Sequence, residues 1–306
     1  MQNAVVVQQL SKRYGNKNAL QEVTFSVEAG TSFGLLGPNG AGKSTLMKIL
    51  TGIIDADAGR AEVLGKDIIL SKDVLRRKVG YVPQEITLYD KLSAYDNLKF
   101  FGELYGVKGK VLKDRIDYVL EQVGLTDRKG DAVATYSGGM KRRINIAAAL
   151  LHEPQMVFLD EPTVGIDPQS RNHIFEMIRE LKKQGVTIIY STHYMEEVEA
   201  LCDNIAIIDH GQVIVQGSLQ ELLDQYAGSA IFIETDEAVD LPDLPGILKK
   251  TQKGRGWVLE TDHIMPSIQQ VSSFLMNHNV SVKSFEIMRP SLEQVFLSLT
   301  GTSLRD

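Results

Sequence analysis

Short apolar runs and helical repeats alternate along the first two thirds of the chain. Apolar runs or strict alternation predict strands at 4–7, 23–27, 32–36, 156–159 and 186–190. Apolar residues at helical spacing predict helices after residue 45, across 93–150 and over 170–183. Strands that alternate with helices in this way are typical of the α/β class. The stretch before residue 30 shows only strands and turns, which predicts a region of β structure.

The pattern changes after Gly217-Ser218. Beyond that point we predict strands at 230–234, 256–260 and 280–287, a helix over 265–277 and a last helix from Ser291. This tail carries no nucleophile, metal-binding motif or phosphate loop. The sequence therefore predicts two domains: residues 1–217, with a helical part at about 90–150, and residues 218–306, a small α+β domain for docking, dimerisation or regulation.

A glycine-rich loop lies between the predicted strand 32–36 and a predicted helix. It consists of Gly37, Pro38, Asn39, Gly40, Ala41, Gly42, Lys43, Ser44 and Thr45. This is the pattern G-x-x-x-x-G-K-[ST] of a phosphate-binding loop, in which glycines let backbone N–H groups approach phosphate oxygens. Lys43 supplies a cation for the β and γ phosphates, and Ser44 supplies a hydroxyl for Mg²⁺. A glycine-rich turn with a chance lysine is disfavoured because the pattern and its flanking elements agree.

Polar residues end two other predicted strands. Asp160 and Glu161 follow the strand 156–159, and acids at the carboxyl end of a buried strand beside a phosphate loop suit metal binding and base catalysis. His193 follows the strand 186–190 in Ser-Thr-His. The alternatives are acids that are merely solvated and a structural histidine. We favour function because the two strands are expected to be neighbours.

Three further signals are weak when each stands alone. Tyr14 lies between two predicted strands and is better explained, by itself, as an aromatic residue that covers the sheet. Gln84 ends the stretch Val-Pro-Gln and could be ordinary loop polarity. Ser137-Gly138-Gly139 opens a predicted helix, where Ser137 suits an N-cap or a phosphate contact. A glycine hinge that enters a helix explains the same residues equally well.

Composition bounds the class of protein. The 306 residues carry a formal charge of -6, which disfavours a broad nucleic-acid surface. The single cysteine, Cys202, excludes an internal disulfide and favours a reducing compartment. The sequence shows no signal peptide and no apolar run of about 20 residues. We therefore expect a chain that is soluble alone and reaches a membrane only through a partner.

Taken together, the motifs resemble those of the ATP-binding-cassette ATPases over about residues 3–217. The motifs occur in the family's order: the loop 37–45, Gln84, Ser137-Gly138-Gly139, Asp160-Glu161 and His193. The Ser-Gly-Gly core distinguishes this family from other phosphate-loop proteins. The tail stretch 289–301 resembles the end of cassettes that serve daunorubicin-resistance-type exporters. The resemblance implies a phosphate-loop (RecA-like) core with an antiparallel β subdomain and a helical subdomain.

The resemblance also implies how ATP is handled within one chain. Tyr14 would stack on the adenine, and the loop 37–45 with Lys43 would hold the phosphates. Glu161 would polarise the attacking water, and His193 would hold the γ-phosphate and orient that water. The implied catalytic set is Lys43, Gln84, Glu161 and His193.

The same resemblance implies a metal ion and a second chain. Ser44 and Gln84 would ligate Mg²⁺, with Asp160 acting through its hydration shell. Ser137-Gly138-Gly139 would contact ATP bound by the opposite subunit of a head-to-tail homodimer, and Asp167 would lie on that interface. Tyr136 and Met140 stand where the family usually has Leu and Gln, a departure that bears on flanking packing and coupling.

The implied function is the ATPase subunit of an exporter, attached to the cytoplasmic face of the cell membrane by a membrane-spanning permease. Nucleic acid is not an expected partner. The alternative is a soluble cassette ATPase that acts on ribosomes or DNA. Such relatives carry two cassettes or a long coiled-coil insert, and this sequence has neither. The sequence leaves the transported compound open.

Overall fold

The computed structural model describes residues 2–226, 229–237, 239, 241–288 and 291–300. Within them the chain forms two compact units, which divide in sequence between Leu219 and Gln220. Parts of the tail stretch 289–301 lie outside the described residues, at Arg289, Pro290 and Gly301. The predicted tail domain is therefore described only as far as Thr300.

Two sheets make up the β structure of the first unit. In chain order its strands are β1 (Asn3–Tyr14), β2 (Lys17–Glu28), β3 (Ser32–Leu36), β4 (Ala58–Val63), β5 (Lys66–Asp67), β6 (Val79–Val82), β7 (Met156–Asp160), β8 (Thr187–Thr192), β9 (Asn204–Asp209) and β10 (Gln212–Ser218). One sheet is antiparallel, in the order β2-β1-β4-β5. The other has the order β10-β9-β3-β8-β7-β6 and is parallel except for the β9–β10 hairpin.

Some helices of the first unit pack against the sheets, and others form a separate helical part. In chain order they are α1 (Lys43–Leu50), α2 (Lys72–Arg76), α3 (Ala94–Leu104), α4 (Gly109–Gln122), α5 (Gly138–Leu150), α6 (Pro168–Lys183) and α7 (Met195–Leu201). Helices α3, α4 and α5 contact one another. Helix α5 also contacts β6, so it joins the helical part to the sheet. Helix α8 (Leu219–Tyr226) begins where the first unit ends.

The central strands β3, β7 and β8 are buried along their whole length. Parallel strands with both faces covered need continuous apolar runs, which is the pattern that these three strands show in the sequence. Leu36 lies opposite Thr192, and Asp160 lies opposite Ser191. The residues that follow all three strands therefore emerge at the same edge of the sheet.

The second unit is a smaller α+β structure. Its elements are β11 (Ser229–Thr235), β12 (Ile247–Lys253), β13 (Gly256–Thr261), α9 (Ile264–Asn277), β14 (Val282–Met288) and α10 (Leu292–Thr300). The strands form an antiparallel sheet in the order β12-β13-β11-β14, and Val271 and Leu275 of α9 share a buried cluster with Ile231, Ile233 and Leu259. The sequence does not predict β12, because this edge strand is mostly polar and exposed.

Candidate functional site

The glycine-rich loop connects β3 to α1 at the edge where the central strands end. Gly42, the N-cap of α1, has φ 109° and Gly40 has φ 81°, a conformation that favours glycine. A Cβ on Gly37 would lie 2.1 Å from the carbonyl oxygen of Ile208, and one on Gly42 would lie 2.5 Å from that of Ala19. The close approach of neighbouring backbone therefore requires glycine at both positions.

Lys43, the first residue of α1, is folded back over this loop and is only 4% exposed. Its Nζ donates to the carbonyl oxygens of Gly37 at 2.8 Å and Pro38 at 3.1 Å. The same Nζ lies 3.1 Å from Oε1 of Glu161, which is equally buried. The predicted phosphate cation and the predicted catalytic acid are therefore in direct contact.

Asp160 ends β7 and receives hydrogen bonds from two hydroxyls. Ser44 Oγ donates to its Oδ1 at 3.1 Å, and Ser191 Oγ donates to the same oxygen at 2.7 Å. The hydroxyl of Tyr81 lies 3.4 Å from Oδ2, and burial together with the Asp160 charge raises the pKa of Tyr81. Ser191 is a partner that the sequence did not predict, because only the pairing of β7 with β8 brings it to Asp160.

Glu161 lies at the junction of the other predicted catalytic groups. Its backbone, at φ 45°, donates from N to Ser191 Oγ at 3.1 Å. Gln84 Nε2 donates to Glu161 Oε2 at 2.9 Å. His193 Nδ1 lies 3.5 Å from Oε1, which is too far for a good hydrogen bond, and this buried nitrogen has no hydrogen-bond partner. The imidazole therefore faces the acid without being bonded to it.

A second buried acid, Glu197 on α7, accepts a hydrogen bond from the residue before His193 and was not predicted. It is 1% exposed and accepts hydrogen bonds from Thr163 Oγ1 at 2.7 Å, Tyr190 OH at 2.9 Å and Thr192 Oγ1 at 2.8 Å. Burial, followed by the Glu197 charge, raises the pKa of Tyr190. Since Thr192 precedes His193 directly, this network fixes the backbone that carries the histidine.

The donor set around Asp160 fits a hard divalent cation. Ser44 and Gln84 offer neutral oxygen atoms and Asp160 offers a carboxylate, which are the ligand types that Mg²⁺ prefers. Gln84 turns its Nε2 to Glu161, so Oε1 is the atom that it would offer to a metal. Among the described residues, no group of three or more His, Cys, Asp or Glu side chains could hold a metal. A cation here would thus depend on few protein ligands.

The glycine-rich loop, Gln84 and Glu161 line a cleft of about 250 Å³, whereas Asp160 and His193 are not among its lining residues. Its lining residues are Tyr14, Lys17, Ala19, Asn39, Gly40, Gly42, Lys43, Ser44, Thr45, Gln84 and Glu161. Tyr14 is 51% exposed, and Lys12 Nζ lies 5.7 Å from the centroid of its ring. An aromatic ring with an open face at the rim suits stacking on a base. Lys17 and Ala19 are additional lining residues that follow no recognised motif.

A larger cleft of about 440 Å³ lies between α4 and α6. It contains none of the predicted site residues. Its arginine is already paired, since Arg115 contacts Glu153 at 2.9 Å and donates to the carbonyl oxygen of Leu150 at 2.9 Å. Its chemistry therefore does not compete with that of the smaller cleft.

Ser137, Gly138, Gly139 and Asp167 form a second region that does not line the smaller cleft. Ser137 is the N-cap of α5, and its Oγ accepts from Met140 N at 3.2 Å. Asp167 is the N-cap of α6, and the hydrogen bond from the Ser170 amide holds its pKa below the usual value.

Within this second region, Gly139 is buried against the start of α6. A Cβ on it would lie 2.0 Å from Ser170 Oγ and 2.9 Å from Asp167 Oδ2, so glycine is required for the two helix starts to meet. In contrast, Ser137 and Gly138 are exposed. Tyr136 is buried and donates from its OH to the carbonyl oxygen of Arg128 at 2.6 Å, so this departure from the family pattern has a packing role.

Comparison with known proteins identifies both parts of the chain. The ABC transporter family model matches residues 20–164, and the model for the C-terminal domain of DrrA1-3-like ATP-binding proteins matches residues 217–300. The chain is 43% identical to the linearmycin resistance ATP-binding protein LnrL of Bacillus subtilis, over 97% of this chain and 98% of that protein. It is 37% identical to the daunorubicin resistance ATP-binding protein DrrA3 of Streptomyces coeruleorubidus, over 99% of this chain and 97% of that protein.

A solved structure described as the ATP binding subunit of an ABC transporter has a TM-score of 0.67 and 32% identity to this chain, over 73% of this chain and 93% of that one. The predicted fold class, a phosphate-loop α/β core with β, helical and small α+β parts, is confirmed by this likeness and by the sheets described above. The chain therefore belongs to the ABC transporter family, as an ATP-binding ATPase subunit.

Proposed function

We propose that two copies of this chain bind and hydrolyse MgATP between them, and so drive a separate membrane-spanning permease that exports an antibiotic-type compound. The observation that carries this proposal is the division of the site into two regions. Lys43, Asp160 and Glu161 belong to one buried cluster, whereas Ser137 and Gly138 face solvent outside the cleft. A second copy would complete the site.

Within one chain, the buried cluster would hold the phosphates and prepare the water. The loop amides and Lys43 would bind the β and γ phosphates. A γ-phosphate would compete with Glu161 for the Lys43 ammonium, which now lies 3.1 Å from the acid. Glu161 would then polarise the attacking water, and His193 would orient that water and contact the γ-phosphate. Tyr14 would stack on the adenine.

Mg²⁺ would be held by Ser44 and Gln84 directly and by Asp160 through its hydration shell. Bound there, the ion would supply charge neutralisation of the phosphate oxygens. The residues of this chain contribute its orientation. Ser191 donates to Asp160 at 2.7 Å and so fixes the carboxylate beside Ser44.

In the dimer, the exposed region would act on the ATP bound by the partner. Ser137 and the amides of Gly138 and Gly139 lie at the start of α5, where backbone N–H groups favour an anion. Asp167 would lie on the same interface. Closure of two chains over ATP, and their release after hydrolysis, would supply the motion that drives transport.

An exposed aromatic pair in the region that follows Gln84 suits the docking of the permease. Tyr89 and Phe100 are 51% and 42% exposed, and their rings meet edge to face at 5.2 Å. Leu104, at the end of the same helix as Phe100, is 71% exposed. Within the described ranges, no helix has the length and apolar character needed to cross a membrane. A docked permease would hold the chain at the cytoplasmic face of the cell membrane.

Similarity over both parts of the chain supports an antibiotic-type cargo. The relatives named for linearmycin and daunorubicin resistance align over nearly their whole lengths, including the tail. The match to the ABC transporter family favours transport over action on ribosomes or DNA. We assign nucleotide binding to residues 1–217 and an accessory role to residues 218–306.

Purification from native membranes tests this function. A tagged chain solubilised in mild detergent is expected to co-purify with a protein that has several membrane spans. The purified material is expected to hydrolyse ATP. Lys43→Ala, which removes only the phosphate cation, should retain the membrane protein and lose nucleotide binding. Repeated recovery with ribosomes or DNA, and never with a membrane protein, would contradict the proposal.

A further inference from the structure

Arg142 on α5 is a buried cation that the proposed chemistry does not use. It is 4% exposed. Its Nη1 donates to the carbonyl oxygen of Pro83 at 2.8 Å, and its Nη2 donates to that of Gln84. Its Nε is buried without a hydrogen-bond partner. The guanidinium therefore binds the backbone of two consecutive residues, Pro83 and Gln84, directly after the end of β6.

Burial of this guanidinium is costly. Burial lowers the pKa of Arg142, and the charge of Asp160 only partly opposes the shift. In the described part of the chain Arg142 forms no ion pair, and its hydrogen-bond partners are two backbone carbonyl oxygens. Buried charges without a close partner tend to destabilise a fold relative to an apolar side chain of similar size. A contribution to stability alone therefore does not explain why an arginine occupies this position.

A second side chain of α5 holds the same segment. Asn145 Oδ1 accepts from Thr87 N at 3.3 Å and from Thr87 Oγ1 at 2.9 Å. Arg142 and Asn145 are three residues apart, so they lie on the same face of the helix. Together they attach both ends of the segment 83–87 to α5.

Helix α5 begins at the exposed region that would contact the partner's ATP. Ser137 is its N-cap, and Arg142 follows little more than one turn later. The backbone of Gln84 accepts from Arg142, and the side chain of Gln84 donates from Nε2 to Glu161 Oε2 at 2.9 Å. A continuous chain of contacts therefore runs from the helix start through Arg142 and Gln84 to the catalytic acid.

We propose that Arg142 is a positioning residue that couples the start of α5 to Gln84 and Glu161. A displacement of α5 by the ATP of a partner chain would move Gln84 relative to Glu161, and hydrolysis would thereby depend on engagement of the second copy. This inference rests on the proposed function, because it assigns a regulatory contact to the same site.

The test compares Arg142→Met, Arg142→Lys and a matched control in the purified full-length chain. Arg142→Met removes both donors and keeps an unbranched side chain, and we expect kcat for ATP to fall by about tenfold while KM changes little. Thermal stability should stay close to that of the wild type or rise, because a buried charge is removed. Arg142→Lys keeps the charge without the planar fork and should restore only part of kcat.

Arg115→Met is the control because Arg115 has the same type of contact at the other end of α5. It donates to the carbonyl oxygens of Leu150 at 2.9 Å and Leu151 at 3.3 Å, and it touches neither Gln84 nor Glu161. We expect this variant to keep the wild-type kcat, whatever its loss of stability.

Amide hydrogen exchange over residues 83–89 gives a readout that needs no turnover. Exchange there should rise in Arg142→Met and stay unchanged in Arg115→Met. A wild-type kcat in Arg142→Met, an equal loss of kcat in both variants, or unchanged exchange would overturn the coupling role. A wild-type chain that binds no ATP would instead refute the proposed function, and the exchange experiment would still test the contact.

Discussion

The buried cluster at the strand ends and the exposed start of α5 belong to the same unit but are built in different ways. Glu161 is 4% exposed, and Lys43, Gln84 and His193 lie within 3.5 Å of its carboxylate. Ser137 and Gly138 are exposed. The first region is fixed by strand pairing, whereas the second is fixed only by helix capping and by the fit of Gly139 against α6.

This difference separates what one chain does alone from what needs a second chain. The buried cluster is preorganised, because its side chains are held by the sheet and by each other. The exposed region presents Gly138 to solvent at the start of α5, where backbone N–H groups favour an anion. Substitutions in the cluster should therefore act on chemistry directly, and substitutions in the exposed region should act through association.

The largest effect is expected from Glu161→Gln. The amide keeps the size of the side chain but cannot accept a proton, so kcat should fall by about 10²-fold or more. ATP binding should persist, since Lys43 and the loop are unchanged, and ATP should hold the variant in a dimer. Turnover of ATP together with size-exclusion chromatography with and without ATP measures both effects. Normal turnover would refute Glu161 as the group that polarises the water.

An intermediate effect is expected from Gly138→Ala, which tests the exposed region alone. A Cβ on Gly138 meets nothing within 4 Å in this chain, so the variant should unfold at or slightly above the wild-type temperature. If the partner's ATP lies against this helix start, kcat and ATP-dependent dimerisation should fall by about tenfold or more. Gly139→Ala should lose stability as well, because its Cβ would collide with Ser170.

Gly130→Ala is the control for this pair. Its Cβ also meets nothing within 4 Å, and it lies outside both regions of the site. It should leave stability and turnover unchanged. If Gly138→Ala behaves in the same way, the exposed region has no partner, and the head-to-tail dimer is wrong.

The sequence predicted the elements of the buried cluster better than its contacts. Asp160 and Glu161 were predictable because a buried strand leaves a continuous apolar run before them. Ser191 and Glu197 were not, because their partners lie on other elements and only strand pairing and helix packing bring them together. The same holds for Arg142, which no motif marks as a contact of Gln84. The roles of the predicted site residues remain predictions until they are tested.

Short polar elements were the other gap. Helix α2 and strand β12 have few apolar positions, so no period identifies them. Helix α7 was missed because it is only seven residues long, although it carries Glu197. In contrast, the helix start at Ser137 was predicted correctly, because a serine before a helical repeat satisfies an orphan amide through its own side chain.

The smallest effect is expected from Ser137→Ala, and it distinguishes capping from phosphate contact. Ser93 is the N-cap of α3 and accepts from Asp96 N at 3.0 Å, as Ser137 accepts from Met140 N at 3.2 Å. Replacement of either serine by alanine should cost about 1 kcal/mol of unfolding free energy, since each removes one capping acceptor. Denaturant titration of the two variants measures this cost. Only Ser137→Ala should also lower ATP turnover, because only this hydroxyl would reach the partner's γ-phosphate. Equal turnover in the two variants at equal stability would mean that Ser137 caps its helix and does nothing more.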